Sequence, residues 1–410
     1  MERLHIELEE AVSTILEHTR ETTAVSQLPL FECMGRVLAE KLVAELDSPP
    51  FDRSPLDGYT FASECTKEAC AEQPKALTVI DTVYAGGYRG KPVDAGCAVR
   101  IMTGAPIPAG CDCVIRLEDV ETLEDQVLIP MEMKHHENYC FRGEDFKAGT
   151  CLLEKGTRLG AAELGVLASA GKCFAQVYDR CRVVLLVSGD EVVEPGTDLL
   201  PGKIYDSNLY LLYGKLKQLG AEVVLAKVAG DDPKRIADLL TGEIRAESVD
   251  AIITTGGVSV GDKDIFHEVL PMMGAERLFW RVNLKPGTPA MFSVCEGIPM
   301  LNLSGNPFAA AATFDLLAVP MIEKISRYGR HDGRERQAVL DTAFLKASKG
   351  RRFLRGVYED GHVWIPSTEK HASGILSSMA GCNCLIDVPA GTGALKQGDR
   401  VRVVLTTIPC

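Results

Sequence analysis

The spacing of apolar positions changes period along the chain, and each change predicts a different kind of element. Near the start, Leu8, Val12, Ile15 and Leu16 fall on one face at helical spacing. From about 48 to 137 the pattern becomes short β-rich runs, ALTVIDTVYAG, CAVRIMTG, CDCVIRLEDV and DQVLIP, separated by Gly/Pro turns. That rhythm predicts a small all-β domain. GTRLGAAELGVLASAG, 156–171, returns to a helical pattern.

From residue 181 the rhythm alters again. CRVVLLVSG is continuously apolar, as a strand covered on both faces must be. SNLYLLYGKLKQLG is amphipathic and stops at glycine, a helix with its C-terminal signal. EVVLAKVAG, DDPKRIADLLTGEI, DAIITTGG and DKDIFHEVLPMMG continue the alternation of strand and helix. Such a series predicts a doubly wound parallel sheet with right-handed crossovers. The final stretch, 328–410, is again short-stranded: RQAVLDTAFLKAS, FLRGVYEDGHVWIPS, NCLIDVPAG and DRVRVVLTT.

Composition narrows the function classes. At 410 residues the chain exceeds one ordinary core, and 46% hydrophobic with 25% charged residues is normal for a globular protein. The formal charge of −13 argues against general nucleic-acid binding. No apolar run reaches the roughly 18–20 residues of a membrane span, and MERLHIELEEAVSTILEHTR is acidic and amphipathic, unlike a secretory signal. None of the fourteen cysteines forms a CxxC pair, so free thiols in a reducing cytoplasm are expected. His135-His136 lacks a third ligand at a familiar spacing and reads as a turn. Residues 328–410 hold twelve Lys+Arg against eight Asp+Glu, densest in KGRRFLR, 349–355.

Ligands of doubly wound sheets bind at the carboxyl ends of the strands, so residues just after each strand carry the chemistry. These are Ser188-Gly189-Asp190-Glu191, Gly230-Asp231-Asp232, and TTGGVSVGDKD, 254–264. Each sets glycine beside carboxylate. Glycine N–H groups suit phosphate. Crowded carboxylates call for a cation, and magnesium held by one or two acids plus phosphate oxygens is the usual answer. Asp232 sits directly before Pro233 and equally suits a helix N-cap. The glycine spacing is not a dinucleotide fingerprint, and no Gly-Lys-Ser/Thr follows to make a Walker loop. FDRSPLDGYT (51–60), IMTGAPIPAGCD (101–112) and RGED (142–145) place polar groups in Pro/Gly turns around the β segment. LKPGTP (284–289) and LSGNPFAA (303–310) put a lysine and a helix start, suited to an anion, at the remaining strand ends.

FDRSPLDGYT, IMTGAPIP, RGED, SGDE, IYDSN, AGDDP, TTGGVSVGDKD, LKPG and SGNP, in this order, resemble the molybdopterin molybdenumtransferase family, which includes the C-terminal part of gephyrin. The resemblance spans nearly the whole chain. It implies an elongated multidomain α/β protein. A helical linker domain would comprise 1–47 and 138–177, and a small β domain 48–137. A doubly wound domain of the molybdopterin-binding type would cover 178–327, and a C-terminal β-barrel 328–410. It further implies a cytoplasmic homodimer that cleaves adenylylated molybdopterin with a divalent metal, releases AMP and inserts molybdate into the dithiolene.

Carried over by motif, the catalytic positions are Asp57, Thr103, Asp145, Glu191, Asp231 and Asp264, with Glu191, Asp231 and Asp264 as ligands of Mg2+ or another divalent ion. Asp57 and Thr103 would reach the site from the partner subunit. Gly256, Gly257, Ser259, Gly261, Gly305 and Asn306 would bind substrate, and Lys285, Arg355 and Ser373 match the family's oxyanion-binding positions. Contact with the adenylyltransferase is a further implied partner. The sequence departs from the family pattern at Cys140, Thr288, Ser304 and Ala309, which leaves molybdate or tungstate open. The alternatives are the adenylyltransferase itself, a tungstate-preferring enzyme, and a non-catalytic pterin-binding or scaffold paralogue.

Overall fold

The runs expected as buried strands lie side by side in one seven-stranded sheet. Residues 3–246, 249–258, 265–329, 334–367 and 372–406 are described by the computed structural model. Across the sheet the order is Arg3–Ile6, Glu276–Val282, Met291–Cys295, Ile298–Leu303, Ala251–Thr255, Arg182–Ser188 and Glu222–Ala229. The last four are mutually parallel, as the alternation predicts. The sheet is nonetheless mixed, because Met291–Cys295 runs antiparallel to both of its neighbours. Only the two residues Glu296 and Gly297 join it to Ile298–Leu303, too short a link for a crossover.

The unbroken apolarity of CRVVLLVSG has a simple cause. Val183 and Leu185 point into one core with Leu212, Leu216 and Phe314, while Val184 and Leu186 point into another with Ile236, Leu240 and Phe266. Both faces of the strand are dry, so neither set can be polar. Each such side chain contributes roughly 1.5–3 kcal/mol by leaving water. Asn208–Gln218 covers the first face, and Pro233–Arg245 with Phe266–Met273 covers the second. The N-terminal segment also joins this core. Arg3–Ile6 pairs with Glu276–Val282, and the helix Leu8–Glu17 buries Ala11 and Ile15 completely.

By its contacts the chain divides into Leu28–Met34 with Glu40–Ala175, and Met1–Gln27 with Gly35–Ala39 and Gln176–Cys410. The second unit also holds a closed barrel of Glu335–Leu340, His362–Trp364, Arg352–Glu359, Cys384–Val388 and Arg400–Leu405, filled by Leu340, Val363, Ile386 and Val403. Part of the basic excess is internal to this barrel, where Arg351 and Arg402 both bind the buried Asp387. The first unit is built on a six-stranded sheet within 58–129, packed around Phe61, Ile115, Val127 and Ile129. Among the described residues, no helix is long and apolar enough to cross a membrane.

Candidate functional site

The strand order reverses between Arg182–Ser188 and Ala251–Thr255: one crossover leaves Arg182–Ser188 toward Glu222–Ala229, and the next returns to its other side. Loops leaving adjacent strands in opposite directions open a crevice at such a point. A cavity of about 910 Å³ lies there. Of the residues singled out in the sequence, Glu191, Asp231, Gly256, Gly257, Lys285, Gly305, Asn306 and Ser373 all line it. Ser259, Gly261 and Asp264 lie outside the described residues.

The acids at the strand ends divide by role. Asp232 is the N-cap of Pro233–Arg245, accepting the Arg235 N–H at 3.1 Å. Asp190 and Asp231 exchange bonds: the Asp231 N–H donates to Asp190 at 3.0 Å, and the Asp190 N–H to Asp231 at 3.3 Å. This ties the ends of two neighbouring strands together beneath the exposed Glu191. The donors are oxygen only, the kind magnesium prefers.

Two of the expected anion sites are partly used up within the protein. The Gly256 N–H donates to the Leu303 carbonyl at 3.1 Å. Its glycine is required sterically instead: φ is +96°, and a Cβ would stand 2.3 Å from the Ser188 carbonyl oxygen. At the helix Pro307–Thr313, Pro307 has no N–H and Phe308 donates its own to the Ser373 carbonyl at 2.9 Å. That bond draws Ser373 onto the cavity wall.

Lys285 is positioned by the barrel. Its N–H donates to the Arg351 carbonyl at 3.0 Å, and its carbonyl accepts from Phe353 at 2.7 Å. Arg355, placed by resemblance with Lys285 and Ser373, does not line this cavity. It is 2% exposed and lines a second cavity of about 520 Å³. Its guanidinium lies 4.0 Å from the Phe308 ring centroid and donates to the carbonyls of Ile375 at 2.6 Å and Ala372 at 3.0 Å. Those two residues flank the Ser373–Gly374 segment, so Arg355 holds that segment from behind. Burial lowers its pKa from the ordinary arginine value.

Of the departures from the family pattern, Thr288 and Ser304 are satisfied internally and Ala309 is buried. The Thr288 hydroxyl donates to the Leu284 carbonyl at 2.6 Å, and Ser304 Oγ accepts the Asn306 N–H at 3.4 Å. All three line the cavity. Cys140 belongs to the first unit, where Arg53 Nε lies 3.4 Å from its sulfur and Glu144 contacts it.

Asp57, Thr103 and Asp145 also belong to the first unit. Antiparallel pairing of Gly58–Phe61 with Cys97–Ile101 brings the residues before one and after the other together. Thr103 then donates both N–H and hydroxyl to one Asp57 oxygen, at 2.7 and 2.8 Å. The Thr103 backbone bond, then its hydroxyl, hold the Asp57 carboxyl below the usual carboxylate range. Asp145 is exposed, and its N–H donates to the Ser48 carbonyl at 2.9 Å.

Sequence reasoning quoted IYDSN but assigned no role within it. Ile204, Tyr205, Asp206, Ser207 and Asn208 all line the cavity, and Asp206 and Asn208 are 5% and 6% exposed. Asn208 Nδ2 donates to Thr255 Oγ1 at 3.1 Å and to the Gly305 carbonyl at 2.8 Å, joining two glycine loops. Polar residues between a strand and an apolar-periodic helix are the signal that could have marked them.

A switch-point cavity lined by acids, glycines and a lysine, beside a closed barrel, marks a multidomain α/β protein with a ligand site at its strand ends. Residues 6–171 match the MoeA N-terminal region (domain I and II), 185–324 the probable molybdopterin binding domain, and 337–406 the MoeA C-terminal region (domain IV). The chain is 34% identical over 407 residues to the molybdopterin molybdenumtransferase of Staphylococcus epidermidis, covering 98% of this chain and 96% of that one. It is 32% identical over 404 residues to that of Staphylococcus aureus, with the same coverage of 98% and 96%. The molybdopterin biosynthesis MoeA protein of Pyrococcus horikoshii superposes with a TM-score of 0.81 at 29% identity, over 98% of this chain and 100% of that one. The chain belongs to the molybdopterin molybdenumtransferase family and is a transferase.

Proposed function

We propose that the chain cleaves the phosphoanhydride of adenylylated molybdopterin, releases AMP and inserts molybdate into the dithiolene. The observation that carries this reading is the switch-point cavity, which unites the strand-end acids Glu191 and Asp231 with Lys285 and Ser373 beside the barrel. A substrate carrying a diphosphate and a tetrahedral oxyanion needs both sets: hard oxygen ligands for a divalent ion, and cationic and hydroxyl donors for the oxyanion.

Glu191 and Asp231, with Asp264 as the third acid, would hold magnesium or another divalent ion. When bound, that ion neutralises charge on the phosphate oxygens. The protein's own groups orient the substrate around it. The bends at Gly256 and Gly257 bring backbone close to the phosphates, Asn306 and Gly305 border the same wall, and Lys285 and Ser373 take the oxyanion. Arg355 serves that end by fixing the Ser373 segment.

Asp57 and Thr103 enter from the partner subunit of a homodimer in this reading, and their mutual bonds present one ionised carboxylate. Asp145 completes the acid set. A four-part domain division, a cytoplasmic location and contact with the adenylyltransferase belong to the same proposal. The test is AMP release from adenylylated molybdopterin with magnesium, run with molybdate and tungstate in parallel. Release coupled to molybdenum insertion is the expected result. Formation of the adenylate from molybdopterin and ATP would instead identify the adenylyltransferase and sink the proposal.

A further inference from the structure

The three arginines of KGRRFLR, the densest basic stretch in the sequence, have different surroundings. Arg351 is neutralised: its guanidinium donates to Asp387 at 3.0 and 2.8 Å and to Glu9 at 2.7 Å. Arg355 donates to the carbonyls of Ile375 and Ala372. Arg352 is half-buried, and among the described residues its guanidinium pairs with no carboxylate and donates no hydrogen bond. It lies over the Phe344 ring, 5.8 Å from its centroid, which supports a cation without using any donor. Of the three, Arg352 is the one that lines the switch-point cavity.

Arg352 is also the backbone partner of Lys285. The two pair in parallel: the Lys285 N–H donates to the Arg351 carbonyl at 3.0 Å, and the Phe353 N–H to the Lys285 carbonyl at 2.7 Å. Residues paired across a ladder present their side chains to one face. Two cations therefore stand side by side at the cavity, and Lys285 has no carboxylate partner among the described residues either. Like charges directly opposite each other destabilise a ladder, and an anion bridging them reverses that repulsion.

We propose that Arg352 is the second cation of the oxyanion end, a binding residue that takes a doubly charged tetrahedral oxyanion together with Lys285. This rests on the reading of the cavity as the place where molybdate is inserted. Arg352 opens its strand, one step outside Leu354 on the same alternation, so it stands at the rim of the barrel core. Its guanidinium offers parallel N–H donors to two oxygens of one anion, whereas the Lys285 ammonium acts as a point charge. A pair of cations favours a dianion over a monoanion of the same shape.

The test is calorimetric titration of the full chain with molybdate, with perrhenate, a tetrahedral oxyanion of single charge, and with AMP. The parent should prefer molybdate to perrhenate. Arg352→Gln should weaken molybdate on the order of 10-fold and narrow that preference, and Arg352→Glu should weaken it about 100-fold. Arg352→Lys, which keeps the charge but not the fork, should fall between parent and Arg352→Gln. AMP affinity and melting temperature should stay near the parent's, because the guanidinium ties no other described segment in place. In turnover the KM for molybdate should rise in step while kcat holds. Parent-like molybdate affinity in Arg352→Gln overturns the assignment. So does a loss confined to AMP, which would place Arg352 on the nucleotide phosphate, and so do equal losses for all three ligands with lower melting. A parent that binds no molybdate sinks this proposal and the functional reading together. A parent that releases no AMP, yet loses molybdate affinity on Arg352→Gln, sinks the functional reading alone and keeps the two-cation site.

Discussion

Gly256→Ala tests whether the crevice depends on the close approach of two strand ends. Gly256 has φ +96°, and an added Cβ would meet the Ser188 carbonyl oxygen at 2.3 Å, where real Cβ contacts stay beyond 3.0 Å. The Ser188 end must therefore retreat by about 0.7 Å, or the Gly256 loop must. Neither is soft, because Ser188 pairs with Ala229 in the sheet and the Gly256 N–H is bonded to Leu303. Positive φ on alanine costs about 1–3 kcal/mol and overpacking about 1–3 kcal/mol, so the loss should be on the order of 3 kcal/mol. That corresponds to a melting decrease of roughly 6–12 °C. A displacement of this size beside the reacting groups should lower kcat/KM for AMP release about 100-fold. Gly242→Ala is the control: it lies in the helix Pro233–Arg245 with open space around its Cβ position. It should be neutral or gain up to ~1 kcal/mol. Melting curves and AMP-release kinetics on both variants decide the matter. A Gly256→Ala protein that melts and turns over like the parent would refute the steric argument.

Glu191→Gln and Asp264→Asn should each lower AMP release by at least ~100-fold, and exposed Glu191 should do so with melting unchanged; parent-like rates would remove these acids from the site. Arg355→Lys loses the fork that holds Ala372 and Ile375, so KM for molybdate should rise about 10-fold as the Ser373 segment loosens, and an unchanged molybdate saturation curve would contradict that role. For Asp387, burial alone would raise the carboxyl pKa, but the Arg351 and Arg402 guanidiniums outweigh it and hold the group below the usual carboxylate range. A depressed folded pKa contributes stability that is fully present above the unfolded value, about 3.9, and is lost as pH falls through the folded one. Barrel unfolding followed from pH 7 to pH 2 should show this acid-side loss, and Asp387→Asn should flatten it.

The alternation of buried strand and amphipathic helix was legible in the sequence, because one-sided burial of a helix and two-sided burial of a strand leave local periodic marks. So was the place of the cavity, since glycine beside carboxylate after successive strands needs only the rule that such strands open at their carboxyl ends. What each group there does was decided by tertiary packing. Asp232 caps a helix while Asp231, its neighbour, faces the cavity. Gly256 is glycine because Ser188, distant in sequence, lies against it. Arg355 stands behind Ser373 and outside the cavity that Ser373 lines, and the helix start after Asn306 spends an amide on that same serine. Asp206 and Asn208 were visible as letters but not as buried residues on the cavity wall. Periodicity is a property of neighbours along the chain, whereas hydrogen-bond partners and steric limits are set between segments that meet only when the sheet, helices and barrel pack.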